Sequence, residues 1–376
     1  MNEIARRLGI RKATIIDWLK RESYEERRGW NQGRRVYTTD EEERVASLKR
    51  ERIDRKRYFL GAPHVRMDYA KKFPDDPLPS LWFVHDVVRR QGLQTHEPKK
   101  RKKGQNIVSR LKFPMRSIVG LGKIQQASDF IGKKYVAGQK EPISIFSTSY
   151  YQWLKVYQVW RVSSEKAENA ITCLTELWKR FPVPNVMRMD NGMTFRGTGR
   201  AEAHVGRCVV FLLNRSVTPL FSSPYHSYTN PHIEGHNRTF TEKLWSTEHF
   251  TSDEQIDEAC MRFNAESEEF CRWNFKDRLT DRALRFLPET SEPSEPEVLR
   301  SAKGKNICFI RFVERWKEKG EECGVVILNR FVCIPDPYLN QYVFVTFDLE
   351  TASIRVTSEH DGHTTQILKQ RFPYTL

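Results

Sequence analysis

The chain has 376 residues, 39% of them hydrophobic and 12% aromatic, so it can bury sizeable cores and is too long for one ordinary domain. Its formal net charge is +15, and residues 1–110 hold 28 Lys and Arg against 16 Asp and Glu, which is +12 of that total. The composition excludes wholesale disorder, and the basic first third favours a polyanion such as nucleic acid as its partner.

Cysteine usage and hydropathy restrict the compartment. The seven cysteines are scattered, with no CxxC pair and no Cys/His zinc spacing, which argues against a disulfide framework or a structural zinc. No apolar run approaches the length of a membrane span, and the charged start has no signal-peptide pattern. We therefore expect an intracellular protein with no membrane partner.

Residues 1–37 predict a helix-turn-helix DNA-binding domain. In "MNEIARRLGIRKATIIDWLKRE" two short apolar faces flank a turn at Gly9, although two amphipathic helices of any bundle would give the same pattern. The following "GWNQGRRVY" could form the tip of a basic β-wing. The side chains expected to contact DNA here are Arg11, Lys12, Thr14 and Lys20 on the second helix and Arg34 and Arg35 in the wing.

Residues 38–94 predict a second helix-turn-helix DNA-binding domain of three helices. The first helix begins in "TTDEEERVASLKRERIDRKRYF", with Thr39 as N-cap and Glu42 completing a capping box. The last helix, in "SLWFVHDVVRRQGL", ends at Gly92 and offers Arg89 and Arg90 to DNA.

A basic linker is expected over residues 95–114. Its run of charge consists of Lys99, Lys100, Arg101, Lys102 and Lys103. This run fits a solvated linker and a segment that follows a phosphate backbone or a narrow minor groove equally well.

Residues 115–288 predict a mixed α/β sheet with helices on its faces. Three near-alternating strands, "IQQASDFI", "ISIFSTSYY" and "LKVYQVW", precede alternating helices and strands, including a helix over about 199–214. A Pro/Ser/Glu linker over 289–304 leads to residues 305–376, whose short strands predict a small antiparallel β-barrel.

Three carboxylates in the α/β region stand out by position. Asp129 lies in the first strand, Asp190 ends a later strand before an Asn-Gly turn, and Glu234 lies in the first turn of a helix that Asn230 and Pro231 begin. Singly, these acids are explained as a strand-edge charge, the start of a hairpin turn and a capping carboxylate. Together, at one edge of the sheet, they would repel unless hard cations such as Mg²⁺ or Mn²⁺ intervened. Two such ions can clamp the attacking and leaving oxygens of a phosphoryl displacement.

The segments around these acids resemble the DDE transposases and retroviral-type integrases, especially bacterial insertion-sequence transposases with an integrase core. The segments are "QASDFI", "MRMDNGMTF" and "PYHSYTNPHIEGHNRTF". In that family they carry the first Asp, a D-N-G with the second Asp, and N-x-x-x-E with the Glu. The resemblance covers roughly residues 120–250 and implies a ribonuclease-H-like fold. It also implies metal ligation and catalysis by Asp129, Asp190 and Glu234 individually.

The resemblance implies a DNA transposase that binds the terminal repeats of a mobile element, cuts 3′ ends and joins them to target DNA. Tyr228, Asn237 and Arg238 are the DNA contacts expected beside Glu234. The expected cofactor is Mg²⁺ or Mn²⁺, two ions per active site. Expected partners are double-stranded DNA of element ends and target, and further copies of the chain, with an accessory ATPase as an open option. The expected location is the bacterial cytoplasm, with the nucleoid.

Two other functions fit parts of the sequence. A DNA-binding regulator could keep the same domains around an inactive integrase-like core. A ribonuclease-H-like nuclease could use the same acids on RNA–DNA hybrids, which rests on fold analogy alone. Two helix-turn-helix units favour duplex DNA over a hybrid.

Overall fold

The computed structural model describes residues 4, 15, 16, 19, 35–95, 113–136, 138–197, 202–224, 229–293, 298–360 and 362–376. The first predicted DNA-binding domain and most of the basic linker lie outside these residues. The predicted DNA contacts that lie outside them are Arg11, Lys12, Thr14, Lys20, Arg34, Lys99, Lys100, Arg101, Lys102, Lys103 and Tyr228. Of the few described residues in this part, Ile15 is buried and Leu19 is 63% exposed.

Three helices occupy the region predicted to be a second helix-turn-helix domain, and we call them the helical unit. They are α1 (Thr39–Asp54), α2 (Ala62–Lys72) and α3 (Leu81–Arg90). Each contributes a fully buried valine to a shared core, Val45, Val65 and Val84 respectively. The amphipathic pattern of the sequence is therefore satisfied by packing within the unit.

The start of α1 differs by one residue from the sequence prediction. Thr38, not Thr39, is the N-cap, and Glu41, not Glu42, completes the capping box. The Glu41 N–H donates to Thr38 Oγ1 at 3.2 Å, and the Thr38 N–H donates to Glu41 Oε2 at 2.8 Å. The run "TTDEEE" can form a capping box from Thr38 and Glu41 or from Thr39 and Glu42. The Glu41 carboxylate also pairs with Arg35, which favours the box that begins at Thr38.

A nine-stranded mixed sheet forms the body of the molecule. Its strands are β1 (Gln125–Lys134), β2 (Ile143–Gln152), β3 (Val156–Val162), β4 (Val186–Met189), β5 (Thr218–Phe221), β6 (Asn306–Phe312), β10 (Tyr342–Asp348), β11 (Ser353–His360) and β12 (His363–Arg371). They lie in the order β12-β11-β10-β6-β5-β4-β1-β2-β3. Strands β1, β2 and β3 form an antiparallel meander, and β4 and β5 continue it in parallel with β1. The predicted mixed sheet is therefore present and extends further than expected.

Helices cover both faces of this sheet. On one face the rings of Trp178 and Phe211 stack with their centroids 5.5 Å apart. On the other face the ring of Phe240 packs edge-on against that of Phe263, with 6.3 Å between the centroids. The helices are α4 (Met115–Gly120), α5 (Ala167–Arg180), α6 (Met193–Arg196), α7 (Arg207–Asn214), α8 (Pro231–Phe240), α9 (Asp253–Asn274) and α10 (Lys276–Leu279), with a π-helical turn over Thr241–Trp245 after α8. No helix in the described part of the chain has the length and apolar character needed to cross a membrane.

Helix α7 is shorter than the predicted helix over 199–214. Gly206 precedes α7, and a Cβ there would lie 2.5 Å from the Arg196 carbonyl oxygen. A close backbone approach of this kind requires glycine. The approach ties the start of α7 to the end of α6, and α7 begins at Arg207.

The prediction of a small β-barrel over 305–376 is wrong. Strand β6 pairs in parallel with β5, and β10, β11 and β12 extend the same sheet beyond it. The remaining strands, β7 (Glu314–Trp316), β8 (Glu322–Ile327) and β9 (Arg330–Cys333), form a separate antiparallel sheet. Strand β6 is buried on both faces, as the run "ICFIRF", apolar except for Arg311, indicates, and such strands belong inside a sheet covered on both sides.

The helical unit is joined to the body through α9. The Glu266 carboxylate accepts the N–H groups of Tyr58 at 3.2 Å and Phe59 at 3.4 Å, and lies 3.6 Å from Arg52. His64 of α2 stacks on Phe270 of α9 at 4.3 Å. Backbone hydrogen bonds, an ion pair and ring stacking therefore hold the unit on the body.

Candidate active site

The strand register brings Asp129 and Asp190 side by side. Strands β1 and β4 are parallel neighbours, and their last paired residues are Ala127 and Arg188. Each acid stands two residues beyond this pair on its own chain. Because side chains two apart on a strand share a face, both carboxylates leave the sheet at the same edge and on the same side. Parallel strands of α/β sheets present ligand sites at this carboxyl edge.

Asp190 is held by the residues that follow it. Its Oδ1 accepts the Gly192 N–H at 2.9 Å. The Asn191 side chain donates to the Ser222 carbonyl at 2.5 Å and accepts from Arg311 Nη2 at 2.8 Å. The Asp-Asn-Gly segment leads from β4 into α6, so the alternative explanation of Asp190 as the start of a β-hairpin turn is wrong.

Asp129 is oriented by a side chain of α8. Asn237 Nδ2 donates to Asp129 Oδ2 at 2.9 Å, and Ser147 Oγ of β2 donates to Asn237 Oδ1 at 2.7 Å. Asn237 was predicted to contact DNA, whereas the structure commits its amide to Asp129. Asn237 is therefore a positioning residue for the first acid.

Both carboxyl groups have raised pKa values. Burial is the largest cause for Asp129 and raises its pKa to about 7, with the Asp190 charge adding to it, while the Phe130 N–H and Asn237 lower it. Desolvation by the surrounding protein also raises the pKa of Asp190, and the hydrogen bond that Asp190 accepts from the Gly192 N–H lowers it. No described Lys, Arg or His forms an ion pair with either acid. Two adjacent carboxylates left without a cation are costly, and this pair is therefore suited to bind one.

Glu234 faces the same space from the first turn of α8. Asp129, Asp190 and Glu234 line one open cavity of 610 Å³, which we call the acid cavity. The three are not drawn together around one point, since the described residues contain no group of three Asp, Glu, His or Cys that could hold a metal ion. The structure thus pairs the two aspartates and places the glutamate on the wall of their cavity.

Helix α8 starts where the sequence predicts, at Pro231 after Asn230. The Asn230 side chain makes no capping hydrogen bond, contrary to expectation, and lines the acid cavity instead. Ile233 and Phe240 are buried and dock the helix on the sheet. Arg238, a predicted DNA contact, is exposed on the same helix.

A second cavity of 740 Å³ borders the same two aspartates on another side. Glu165 lines it and raises the pKa of Asp129 further, after the larger effects of burial and Asp190. Glu168 and Arg207 form an ion pair on its wall at 2.7 Å. The aspartate pair can therefore be approached from two directions.

Three predicted DNA contacts, two in the helical unit and one just before it, are engaged within the protein. Arg89 pairs with Asp86 at 2.6 Å. Arg90 pairs with Glu42 at 2.7 Å and Asp86 at 2.8 Å, and these hydrogen bonds raise the pKa of Arg90. Arg35 hydrogen-bonds Glu41. Contacts with phosphate would have to replace these pairs.

Sequence reasoning missed the basic side chains of the acid cavity. Arg196 at the end of α6 and Arg311 of β6 both line it, together with Trp316 of β7. The signal for Arg311 was present, because it is the one charge inside the apolar strand "ICFIRF". A charge inside a strand buried on both faces needs a specific role.

No protein-family model matches this chain, and no curated protein matches it. Among solved structures, the chain is similar to a chain in the simian T-cell lymphotropic virus intasome in complex with the PP2A regulatory subunit B56 gamma, with 12% sequence identity and a TM-score of 0.31. The likeness covers 78% of this chain and 92% of that chain. A likeness this distant carries no argument about function, which has to come from the residues themselves.

Proposed function

We propose that this chain is a DNA transposase of the DDE type, which cuts 3′ ends of a mobile element and joins them to target DNA. The observation that carries the proposal is the pair Asp129 and Asp190, which lie just beyond the parallel pairing of β1 with β4. The two acids have no cationic partner among the described residues, and they are open to a cavity that Glu234 also lines. Their segments are those that resemble the DDE family. The sheet, with three antiparallel strands followed by two parallel ones, agrees with a ribonuclease-H-like core.

The donor set fits divalent metal ions. Carboxylate oxygens are the ligands that Mg²⁺ and Mn²⁺ prefer, and no described Lys, Arg or His forms an ion pair with Asp129 or Asp190. Asp129 and Asp190 would hold the metal, and Glu234 would complete the set after an approach of α8 towards them. Bound there, two ions would activate the attacking oxygen and stabilise the leaving one.

The reaction consists of two displacements at phosphorus. In the first, a water oxygen bonds to the scissile phosphorus, the bond from phosphorus to O3′ breaks, and O3′ leaves with a proton as a hydroxyl. In the second, the oxygen of that 3′-OH bonds to a target phosphorus and gives up its proton, while the bond from that phosphorus to a target O3′ breaks and this O3′ leaves with a proton as a hydroxyl. The protein contributes position and charge: Asn237 and Gly192 hold the two acids, and the cavity walls hold the strand.

The remaining parts would supply DNA recognition. The helical unit and the segment before it would bind the terminal repeats, and two DNA ends handled together call for an oligomer. An accessory ATPase for target choice stays an option.

The test uses duplex DNA that the full chain selects from a random pool. With Mg²⁺ or Mn²⁺, we expect cleavage and joining to a plasmid, and Asp190→Asn should slow cleavage by about a thousand-fold or more, since several kcal/mol of transition-state stabilisation are lost. Asp277→Asn, at an exposed acid of α10, is the matched control and should cut normally.

Other results would select a rival. Tight binding to selected DNA without cleavage under either metal would identify a DNA-binding regulator. Faster cleavage of an RNA–DNA hybrid than of duplex DNA would identify a ribonuclease-H-like nuclease.

A further inference from the structure

The acid cavity keeps its opposite charges apart. Asp129, Asp190 and Glu234 lie on its walls together with Arg196 and Arg311. Among the described residues, no ion pair joins either arginine to any carboxylate. Opposite charges in one cavity would ordinarily pair, so something must hold the arginines away from the acids.

Hydrogen bonds to neutral groups hold Arg311. Its Nε donates to the Val326 carbonyl at 2.9 Å, and its Nη1 donates to the carbonyls of Ser222 and Ile310, each at 2.9 Å. Its Nη2 donates to Asn191 Oδ1 at 2.8 Å, which leaves one N–H of Nη2 without a partner in the described part of the chain. Arg311 is only 4% exposed, so its position is fixed while its charge is not neutralised.

Arg196 lies near Arg311 and, like it, forms no ion pair among the described residues. Its Nη1 donates to Asn329 Oδ1 at 2.8 Å, and its buried Nε finds no hydrogen-bond partner in the described residues. Its charge is close enough to lower the pKa of Arg311, after the larger effect of burial. Two neighbouring guanidinium groups without a carboxylate repel each other, and an anion between them would remove that repulsion.

Two further polar groups that line the cavity have no hydrogen-bond partner among the described residues. These are Ser222 Oγ and Asn230 Oδ1, and both are buried. A serine hydroxyl can donate to an anion that the arginines hold. Buried polar atoms without partners are costly in a finished site, which indicates that a ligand completes this one.

We propose that Arg196 and Arg311, with Ser222, form a phosphate-binding wall that holds a backbone phosphate of DNA next to the phosphate cut at Asp129 and Asp190. Guanidinium groups match phosphate oxygens in a bidentate manner, which suits a wall of two arginines. The inference rests on the proposed function for the identity of the phosphate as DNA. The β6 segment thereby becomes part of the active site, although the sequence assigned it to a separate domain.

The first arm of the test uses inorganic phosphate as the probe and needs no catalysis. Calorimetric titration of the full chain without divalent metal should show phosphate binding that Arg196→Gln weakens about ten- to hundred-fold, because charge-assisted hydrogen bonds are lost. Arg262→Gln is the control, since Arg262 is an exposed arginine of α9 paired with Glu248. Because Arg311 also ties three segments together, the test relies on Arg196. Unchanged phosphate affinity in Arg196→Gln would overturn the inference.

The second arm uses DNA carrying a single neutral methylphosphonate at successive positions beside the cut. In the wild-type protein, one position should slow cleavage about ten- to hundred-fold. In Arg196→Gln the same substitution should have no further effect, because the contact is already absent. Independent effects of the two changes would overturn the assignment to DNA.

The two arms separate the failure of this inference from that of the proposed function. Phosphate binding that depends on Arg196, in a chain that cuts no DNA, would leave the anion site standing and refute the transposase. Cleavage that depends on Asp190, with Arg196→Gln behaving as the wild type in both arms, would refute the phosphate wall alone.

Discussion

Charges are buried in two regions of this molecule, and the two regions treat them in opposite ways. At the contact between the helical unit and α9, Arg52 lies 2.5 Å from Asp68 and 3.6 Å from Glu266. In the acid cavity, Arg311 is buried and Asp129 is half-buried, as Asp68 is, yet neither Arg311 nor Asp129 has an ion-pair partner in the described residues. The first region shows that this chain can pair the charges it buries. The unpaired charges of the second therefore mark a place for ligands.

The largest expected effect lies in the paired region. Arg52→Ala removes the ion pair with Asp68 and the nearer cation of the buried Glu266, which keeps only Arg57 at 3.8 Å. The free energy of unfolding measured by urea denaturation should therefore fall by about 3–5 kcal/mol. Arg50→Ala, at an exposed residue of the same helix paired with Glu43, should cost less than about 1 kcal/mol. Similar losses for the two variants would remove the contrast on which the comparison rests.

Removing an unpaired charge from the acid cavity should stabilise the protein instead of destabilising it. The folded-state pKa of Asp129 is raised to about 7, so its protonated form favours folding, and this advantage is lost as pH rises from about 4 through 7. Above pH 7 without metal, Asp129→Asn should therefore stabilise the protein, by at most about 4 kcal/mol. Below pH 4 the difference should vanish. Thermal unfolding at pH 8 and pH 4 measures both, and destabilisation at pH 8 would show that a cation already neutralises this acid.

His64 supplies a third way of burying a titratable group, because the interface keeps it neutral. Burial between Phe59 and Phe270 lowers its pKa to about 3, helped by the charges of Arg52, Lys243 and Lys155. The contribution of neutral His64 to the free energy of unfolding is then fully present above about pH 6.5, and it is lost as pH falls towards 3.

Between pH 7 and pH 5 this loss amounts to about 2 kcal/mol. His64→Gln should remove that part of the pH dependence of unfolding, and His85→Gln, at an exposed histidine of α3, serves as the control. An identical pH profile for wild type and His64→Gln would contradict the buried neutral state.

The smallest effect concerns the exposed end of α1. Thr38→Ala removes the N-cap side chain and should cost about 1 kcal/mol, whereas Thr39→Ala, one residue inside the helix, should cost little. Urea denaturation of the two variants compares the observed register with the one predicted from sequence. A larger loss for Thr39→Ala would favour the sequence register.

Local patterns were sufficient for most elements near the site. The alternation in β1 to β3 and the turn after Met189 located the strands that carry Asp129 and Asp190. The Asn230-Pro231 start of α8 was also readable, because Pro fits the first turn of a helix. These features depend on neighbours in sequence, which is why one sequence was enough to predict them.

Long-range contacts decided the rest. Strand β6 pairs with β5 across an interval of more than eighty residues, Leu220 with Cys308, and no local pattern specifies that choice. The same pairing carries Arg311 into the acid cavity. The hydrogen bond from Asn237 to Asp129 depends on how α8 packs against the sheet. The ion pair of Arg90 with Glu42 likewise depends on how α3 packs against α1.

The sequence by itself determined which acids this protein presents and on which elements, because strand alternation and helix starts are set by residues a few positions apart. Only the tertiary structure decided that two of those acids stand side by side, and that Glu234 and two arginines line the same cavity. Burial and charge are properties of surroundings, and surroundings are assembled by segments that lie far apart along the chain.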